Sequence, residues 1–308
     1  MELSVVTSLY KSETYIAVFL NRIIEIIKKL NIKEYEIIVI DDGCPNQSGQ
    51  IVKNFVDENK NIKLYELSKN YGQHKAQMEG LKLSKGDLVY LTCSDLEEDP
   101  EILEKLWNYL KTYQDAAVVI GKIDNIPRSL ISNFFANIFY IIFNFLSDLE
   151  ISRYETLSRL MRRRYVDAIN EYQETNIFMT AIFKDVGFVQ HKLPVNKNYK
   201  GHSGYTFSKK ITLSINGILQ FSSKPLIYIF YLGVFTTFFT LAISIWLLIQ
   251  KFFTSNVLDG WTSIILTILF VGGIIITSIG VISIYLSKMF VELKNRPRCI
   301  IKNKYLKE

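Results

Sequence analysis

Two uncharged stretches near the end of the chain constrain its architecture more than any other feature. No Asp, Glu, Lys or Arg stands between Lys224 and Lys251, a run of 26 residues (225–250), nor between Asp259 and Lys288, a run of 28 (260–287). A helix needs about 20 apolar residues to cross the hydrocarbon core of a bilayer, so both runs qualify as spans. Two buried core helices are the alternative, but a typical helix of about 12 residues is far shorter than either run. Pro225 suits the first turn of a helix. Trp246 and Trp261 fall where a shared membrane interface would lie. After the second run come Lys288, Lys294, Arg296, Arg298, Lys302, Lys304 and Lys307, against Glu292 and Glu308. The positive-inside rule places this tail in the cytoplasm, and two spans return the N-terminal part to the same side. The tail is expected to lie on anionic headgroups rather than on nucleic acid.

Composition fits a chain made of two unlike parts. Across 308 residues, 49% are hydrophobic and 21% charged, with a net charge of +6. The mean hydropathy of +0.14 is too apolar for an ordinary soluble enzyme and too polar for an all-membrane transporter. Disordered and fibrous classes are excluded. Cys44, Cys93 and Cys299 form no CxxC pair, which argues against a zinc ribbon or a disulfide scaffold and for a reduced, cytosol-facing catalytic part. The start, Met1-Glu2-Leu3-Ser4, runs straight into a strand-like segment with no signal-peptide pattern. A third apolar stretch, Ser129 to Ser147, carries a polar stripe at Ser129, Asn133, Asn137, Asn144 and Ser147. That pattern predicts a helix lying in the membrane surface, with a buried amphipathic core helix as the alternative.

Residues 3 to about 125 alternate strand and helix. Strands are predicted at Leu3–Thr7, Glu36–Ile40, Lys63–Leu67 and Asp87–Thr92, with helices at Thr14–Leu30, Gln47–Asn59 and Gln73–Leu83. The first helix carries Ile16, Phe19, Leu20, Ile23, Ile27 and Leu30 on one face. The unbroken apolar run Ile37-Ile38-Val39-Ile40 marks a parallel strand buried on both faces. The alternation predicts an α/β fold with a Rossmann-like parallel sheet. No G-x-G-x-x-G follows the first strand, which argues against a dinucleotide cofactor. Ligands of such sheets bind beyond the carboxyl ends of strands, and here two ends are acidic: Asp41-Asp42 and Asp95. Carboxylates there are costly to bury without compensation. Turn acids or helix caps are the bland alternative, and a divalent metal holding a diphosphate is the functional one, since hard oxygen ligands suit Mg²⁺ or Mn²⁺.

The sequence resembles the family 2 glycosyltransferases, and within them the polyisoprenyl-phosphate glycosyltransferases. Ser4-Val5-Val6-Thr7-Ser8-Leu9-Tyr10-Lys11-Ser12-Glu13 matches their opening strand and turn. Ile38-Val39-Ile40-Asp41-Asp42-Gly43 matches V-D-D-G. Ser68-Lys69-Asn70-Tyr71-Gly72, with Ala76, Gly80, Gly86 and Asp87, matches R-N-x-G…A…G…G-D. Ser94-Asp95-Leu96-Glu97-Glu98-Asp99-Pro100-Glu101 matches the D-x-D-L-Q-x-x-P-E metal region. Arg159-Leu160-Met161-Arg162-Arg163 resembles F-R-L-M-x-R, and Gly201-His202-Ser203-Gly204-Tyr205 resembles G-x-S-K-Y. In the first motif Ser8 replaces Pro and Lys11 replaces Asn. Cys93 replaces the first Asp of D-x-D, leaving Asp95 for the metal with help from Glu97, Glu98 or Asp99 in question. The acid usually found upstream of F-R-L-M is out of register. Glu155 is nearest, with Asp148 and Glu150 as alternatives.

The resemblance implies a GT-A catalytic domain over 1–208 that includes the interfacial helix at about 129–147. It is followed by a juxtamembrane helix (209–224), a two-helix transmembrane hairpin (225–288) and a basic cytoplasmic tail (289–308). It implies inverting attack of a lipid phosphate oxygen on the anomeric carbon of a nucleotide sugar, a UDP-sugar by likeness to bacterial members. Ser8, Tyr10, Glu13, Asp41, Asp42, Lys69, Asn70, Gly72, Ser94 and Asp95 would bind the nucleotide sugar, and Asp95 the Mg²⁺ or Mn²⁺. The candidate catalytic residues are Asp95, Arg128 and Glu155. The acceptor phosphate needs cations, for which Lys122, Arg128, Arg153 and Arg159 are the candidates. Arg162, Arg163 and Arg164 read as membrane-surface charges. The implied partners are a nucleotide sugar, a polyprenyl phosphate, the membrane and further copies of the chain, by likeness a tetramer. The implied place is the inner (plasma) membrane, multi-pass, with catalytic domain and C-terminus cytoplasmic, serving cell-envelope glycan modification. A processive polysaccharide synthase shares the opening motifs but carries Q-x-x-R-W, absent here. An inactive membrane scaffold is the non-enzyme alternative.

Overall fold

The computed structural model describes residues 1–123, 154–175, 177–196, 224–253 and 260–307, with 137, 138, 141 and 144–146. The expected interfacial helix at 129–147 falls outside the described residues except at those last positions, which are helical. The expected juxtamembrane helix lies outside them up to residue 223, as do Arg128 and Arg153.

The chain forms two units: Met1–Ile141, Leu149–Lys210 and Arg296–Glu308 in one, Ile142–Asp148 and Ile211–Asn295 in the other. In the first, β1 (Leu3–Leu9), α1 (Ile16–Lys29), β2 (Tyr35–Asp41), α2 (Ser48–Glu58), β3 (Ile62–Leu67), α3 (Gln73–Leu83), β4 (Leu88–Cys93) and α4 (Ile102–Thr112) alternate as the sequence predicts. The apolar stripe of α1 is buried at Ile16, Phe19, Leu20, Ile23, Ile26 and Ile27. β2 is buried from Glu36 to Asp41, as a strand covered on both faces must be. Then come β5 (Val118–Ile123), β6 (Glu155–Arg162), α5 (Arg163–Asn170), α6 (Met179–Asp185), β7 (Gln190–Val195) and, at the end of the chain, β8 (Ile301–Tyr305).

The eight strands make one sheet in the order β7-β5-β6-β4-β1-β2-β3-β8. β1 pairs in parallel with β2 and β4, and β2 with β3, while β6 runs antiparallel to β4 and β5. The sheet is therefore mixed rather than wholly parallel. The antiparallel β6 brings its first residues to the edge where β4 ends. Its last residues reach the opposite edge, where Arg162 donates to the carbonyls of Ala116 and Leu110, and Arg163 to that of Gly86. Arg162 and Arg163 tie down backbone there, which corrects their reading as membrane-surface charges.

The tail is a second correction. Residues 301–305 form β8, antiparallel to β3, with Leu64 opposite Tyr305 and Leu67 opposite Ile301. Lys302 and Lys304 are exposed and alternate with half-buried Ile301, Asn303 and Tyr305. Lysines on the open face of an edge strand discourage pairing with another chain, and that accounts for part of the basic charge assigned to headgroups.

The carboxylate of Glu36 is buried at the start of β2. It accepts from Ser4 Oγ at 2.7 Å, the Lys85 amide at 2.8 Å and Lys63 Nζ at 2.6 Å. Burial pushes this carboxyl up, and the Lys63 ammonium with the two other donors more than offsets it, so the group sits below its usual range. One carboxylate thus ties β1, β3 and the turn into β4 together.

The second unit carries α7 (Lys224–Phe253), 30 residues, and α8 (Trp261–Leu293), 33 residues. Phe270–Leu293, with a mean hydropathy of 2.0, is long and apolar enough to cross a bilayer. Phe230, Phe238, Ile268 and Ile276 are exposed. In water that exposed apolar surface would be costly, and in lipid it is matched. Phe145 stacks on Tyr228, with centroids 5.6 Å apart.

Candidate active site

The carboxyl ends of β1, β2, β3 and β4 meet at one edge of the sheet, where ligands of open α/β sheets bind. The loop after β2 is built on two buried carboxylates. Asp41 Oδ1 accepts the Cys44 amide at 2.8 Å. A Cβ on Gly49, in the first turn of α2, would stand 2.6 Å from Asp41 Oδ2, so a side chain there would push the Asp41 carboxylate aside. Asp42, 2% exposed, accepts the amides of Tyr71 at 2.7 Å and Gly72 at 2.9 Å. Burial raises the Asp42 carboxyl above its usual range, the two amides pull it back in part, and Asp41 adds to the rise. Asp42 therefore acts on the β3–α3 loop, which carries Lys69 and Asn70, both exposed. Gly43, at φ +67, fits against that loop because a Cβ would lie 2.6 Å from the Lys69 carbonyl carbon. Gly72 turns into α3 at φ +97.

Near the end of β1, Ser8 is half-buried, and its carbonyl accepts from Ser94 Oγ at 3.0 Å, which fastens the β1 and β4 ends. Tyr10 is 45% exposed and Glu13 is exposed, both open to a ligand. Lys11, which stands at the Asn position of the resembled motif, adopts φ 54. Cys44 Sγ donates to the Leu9 carbonyl at 3.3 Å, and burial with Asp41 nearby pushes the thiol up to about 12. It is a packing group and not a nucleophile.

The β4 loop resolves the acidic run. Cys93 Sγ accepts from Gln73 Nε2 at 3.0 Å. Asp95, half-buried, accepts the Glu97 amide at 3.0 Å across Leu96, which takes φ 59. Glu98 is buried, and its two oxygens accept the amides of Leu157 at 3.1 Å and Ser158 at 2.8 Å, fixing β6. Asp99 and Glu101 pair with Arg22. Glu98 and Asp99 are thus committed to structure, and Asp95 stands at the strand end as the sequence predicts. Among the described residues no three His, Cys, Asp or Glu side chains group as a metal cage. Mg²⁺ characteristically takes one or two carboxylates plus phosphate oxygens and waters, so one carboxylate at this edge fits a metal held largely by a bound diphosphate.

A basic cluster lies around the start of β6. Glu155, whose side chain is 5% exposed, pairs through one oxygen with Lys184 Nζ at 3.0 Å and Lys192 Nζ at 2.9 Å, and Lys122 stands opposite it in the ladder. Burial pushes the Glu155 carboxyl up, and the Lys192 and Lys184 ammonium groups overcome this, holding it below the usual range. So low a carboxylate is a poor base at neutral pH. Its part here is to hold two lysines, which sequence reasoning missed because 29 and 37 residues separate them from Glu155 (184 − 155 and 192 − 155). Arg159 is 4% exposed, donates to the carbonyls of Leu157 and Thr156 at 3.1 Å, and lies 3.6 Å from the centroid of the Phe183 ring. The candidate phosphate ligand is thus packed inside the unit, with its Nη1 buried and without a hydrogen-bond partner.

This mixed sheet, with its acidic β2 and β4 ends, fits the GT-A fold that the sequence resemblance implies. The profile of Glycosyl transferase family 2 matches residues 4–169, and the chain belongs to that family. It is 36% identical over 305 residues to a chain of Mycobacterium tuberculosis described as a glycosyltransferase, covering 99% of this chain and 89% of that one. It is 28% identical over 309 residues to the SfII prophage-derived bactoprenol glucosyl transferase of Shigella flexneri, covering 99% of both. Among solved structures, glucosyl-3-phosphoglycerate synthase of Mycobacterium tuberculosis, in complex with phosphoglyceric acid, shares the GT-A-like fold. Its TM-score is 0.50 at 15% identity, over 71% of this chain and 78% of that one.

Proposed function

We propose that this glycosyltransferase moves a sugar from a nucleotide sugar, a UDP-sugar by likeness, to a polyisoprenyl phosphate. The observation that carries the reading is the likeness to a bactoprenol glucosyl transferase along 99% of both chains, apolar helices included. A phosphate oxygen of the lipid attacks the anomeric carbon, the bond to the diphosphate oxygen breaks, and the nucleoside diphosphate leaves with inversion at that carbon. A lipid phosphate is already ionised at neutral pH, so no strong general base is required, which suits a Glu155 held low by two lysines.

Tyr10, Glu13, Lys69 and Asn70 are placed to meet the donor, while Asp41, Asp42 and Ser94 shape its pocket from behind. Asp95 would hold Mg²⁺ or Mn²⁺, which when bound neutralises charge on the diphosphate. The acceptor phosphate falls to Lys122, Lys184 and Lys192, with Arg128 and Arg153 of the adjoining segment. We further read α7 and α8 as a transmembrane hairpin of the plasma membrane. Support comes from β8: if the C-terminal strand pairs with β3 of the catalytic sheet, the chain must cross the bilayer an even number of times between them. Positive-inside charge then makes that side the cytoplasm. Assembly into homo-oligomers remains part of the reading by likeness alone.

Purified protein given undecaprenyl phosphate and a panel of nucleotide sugars is expected to yield a lipid carrying phosphate and one sugar, read by mass spectrometry. No product from any donor would sink the reading. In the same assay, Lys184→Ala combined with Lys192→Ala is expected to raise KM for the lipid about tenfold, since charge-assisted hydrogen bonds to phosphate are lost, and to leave KM for the donor in place. An unchanged lipid KM would remove both lysines from the acceptor site.

A further inference from the structure

We propose that the C-terminal strand β8 is a positioning element of the donor site and does more than cap an exposed sheet edge. This rests on the reading that the carboxyl ends of β2, β3 and β4 hold the nucleotide sugar.

The contacts of the tail gather on the loop that Asp42 holds. The Ile300 carbonyl accepts the Ser68 amide at 2.9 Å, at the first residue after β3. Ser68 Oγ in turn lies 2.9 Å from the Tyr71 hydroxyl, and the Tyr71 amide is one of the two donors to Asp42. Asn303 Nδ2 donates to Glu66 Oε2 at 2.8 Å, and the Tyr305 hydroxyl to the same oxygen at 3.3 Å. The other oxygen, Oε1, takes Lys53 Nζ at 2.7 Å, and that ammonium lies 4.2 Å from the centroid of the Tyr305 ring. Glu66 also borders the start of α2. Its Oε1 lies 3.7 Å, and Asp41 Oδ2 2.6 Å, from where a Cβ on Gly49 would stand. Cys299 Sγ reaches Glu79 of α3 at 3.5 Å. The tail thus touches β3, its exit loop and α3, and through Glu66 the α2 start beside Asp41.

An edge strand that served only to close the sheet would need its backbone ladder and no more. Here Glu66 is bonded by the tail's side chains, and the ladder slips at Glu66/Leu67, where β3 turns into the loop. The bulge ends regular pairing there, yet the tail keeps hold of Ser68 beyond it. Strand bulges of this kind commonly aim residues at functional sites. The strand follows α8 after residues 294–300 only, so a structural element of the donor pocket is carried on the chain that emerges from the apolar helices.

The test compares full-length wild type with Asn303→Ala combined with Tyr305→Phe, which keeps the backbone ladder, and with Lys302→Ala combined with Lys304→Ala on the exposed face. UDP affinity is measured by titration, and KM for donor and lipid separately, beside the melting temperature. The Asn303/Tyr305 variant is expected to weaken UDP binding and raise donor KM about five- to tenfold, with lipid KM and kcat within about twofold, because the two hydrogen bonds that hold Glu66 between the β3 exit and the α2 start are lost. The Lys302/Lys304 variant is expected to match wild type. Unchanged donor KM in the Asn303/Tyr305 variant overturns the proposal, whether or not the melting temperature falls. So does an equal shift in the lysine variant or a matching rise in lipid KM. If wild type itself binds no UDP and no other nucleotide, the donor-site reading fails and the proposal falls with it. Nucleotide binding shared equally by wild type and variant sinks this proposal alone.

Discussion

Asp95→Asn is expected to lower the rate of sugar transfer by about three orders of magnitude, since the charge stabilisation a metal supplies amounts to several kcal/mol and each 1.4 kcal/mol is about tenfold. Two of the carboxylates that might have compensated, Glu98 and Asp99, are occupied. Glu98 holds the Leu157 and Ser158 amides, Asp99 pairs with Arg22, and Cys93 brings a thiol where the D-x-D motif has its first carboxylate. The substitution should spare the fold, because Asn keeps the oxygen that accepts the Glu97 amide and suits the same turn. Turnover with nucleotide sugar and lipid phosphate, set beside Mn²⁺-dependent UDP binding and the melting temperature, decides the matter. Wild-type turnover in the variant would remove Asp95 from metal binding.

Asp42→Asn is expected to cost about 1–3 kcal/mol of stability and to raise donor KM about tenfold, the price of an unpaired buried amide and a loosened loop. Two backbone amides converge on the two Asp42 oxygens. Asn offers one acceptor and turns an NH₂ toward the second amide. Asn also removes the carboxylate charge that both amides face, although burial raises that carboxyl above its usual range. Hence Asn should be no better than Ala, whereas a residue that simply contacted ribose would tolerate Asn better. Thermal melts and donor KM for both variants distinguish the two roles. Retention of donor KM in both variants would show that the Tyr71–Gly72 loop does not shape the pocket.

Much of the fold was legible because it is written in short-range patterns. The stripe at Ile16, Phe19, Leu20, Ile23 and Ile27 could only be one face of a helix, and the run Ile37 to Ile40 only a strand covered on both sides. The two acidic strand ends were visible too, since strand, turn and acid lie within a few residues of one another. The uncharged runs gave two long apolar helices by the same reasoning. What each charge does was far less legible. Arg159 read as a phosphate ligand and is packed on Phe183. Glu155 read as a catalytic candidate, and its carboxylate is paired with Lys184 and Lys192. The basic tail read as a headgroup patch and is in part an edge strand.

The sequence alone determined the order of strands and helices as far as α4, the acidic edge and the apolar end of the chain. Periodicity and hydrophobicity act over one or two turns, and that range suffices for them. The tertiary structure alone decided which charged groups remain available for chemistry. An ionic side chain near the sheet must find a partner or stay solvated, and that partner is set by strand register across distant stretches of chain. Glu98 meets Ser158 and Glu66 meets Asn303, 60 and 237 residues away. No local pattern announces such pairs, because they exist only once β6 and β8 have taken their places in the sheet.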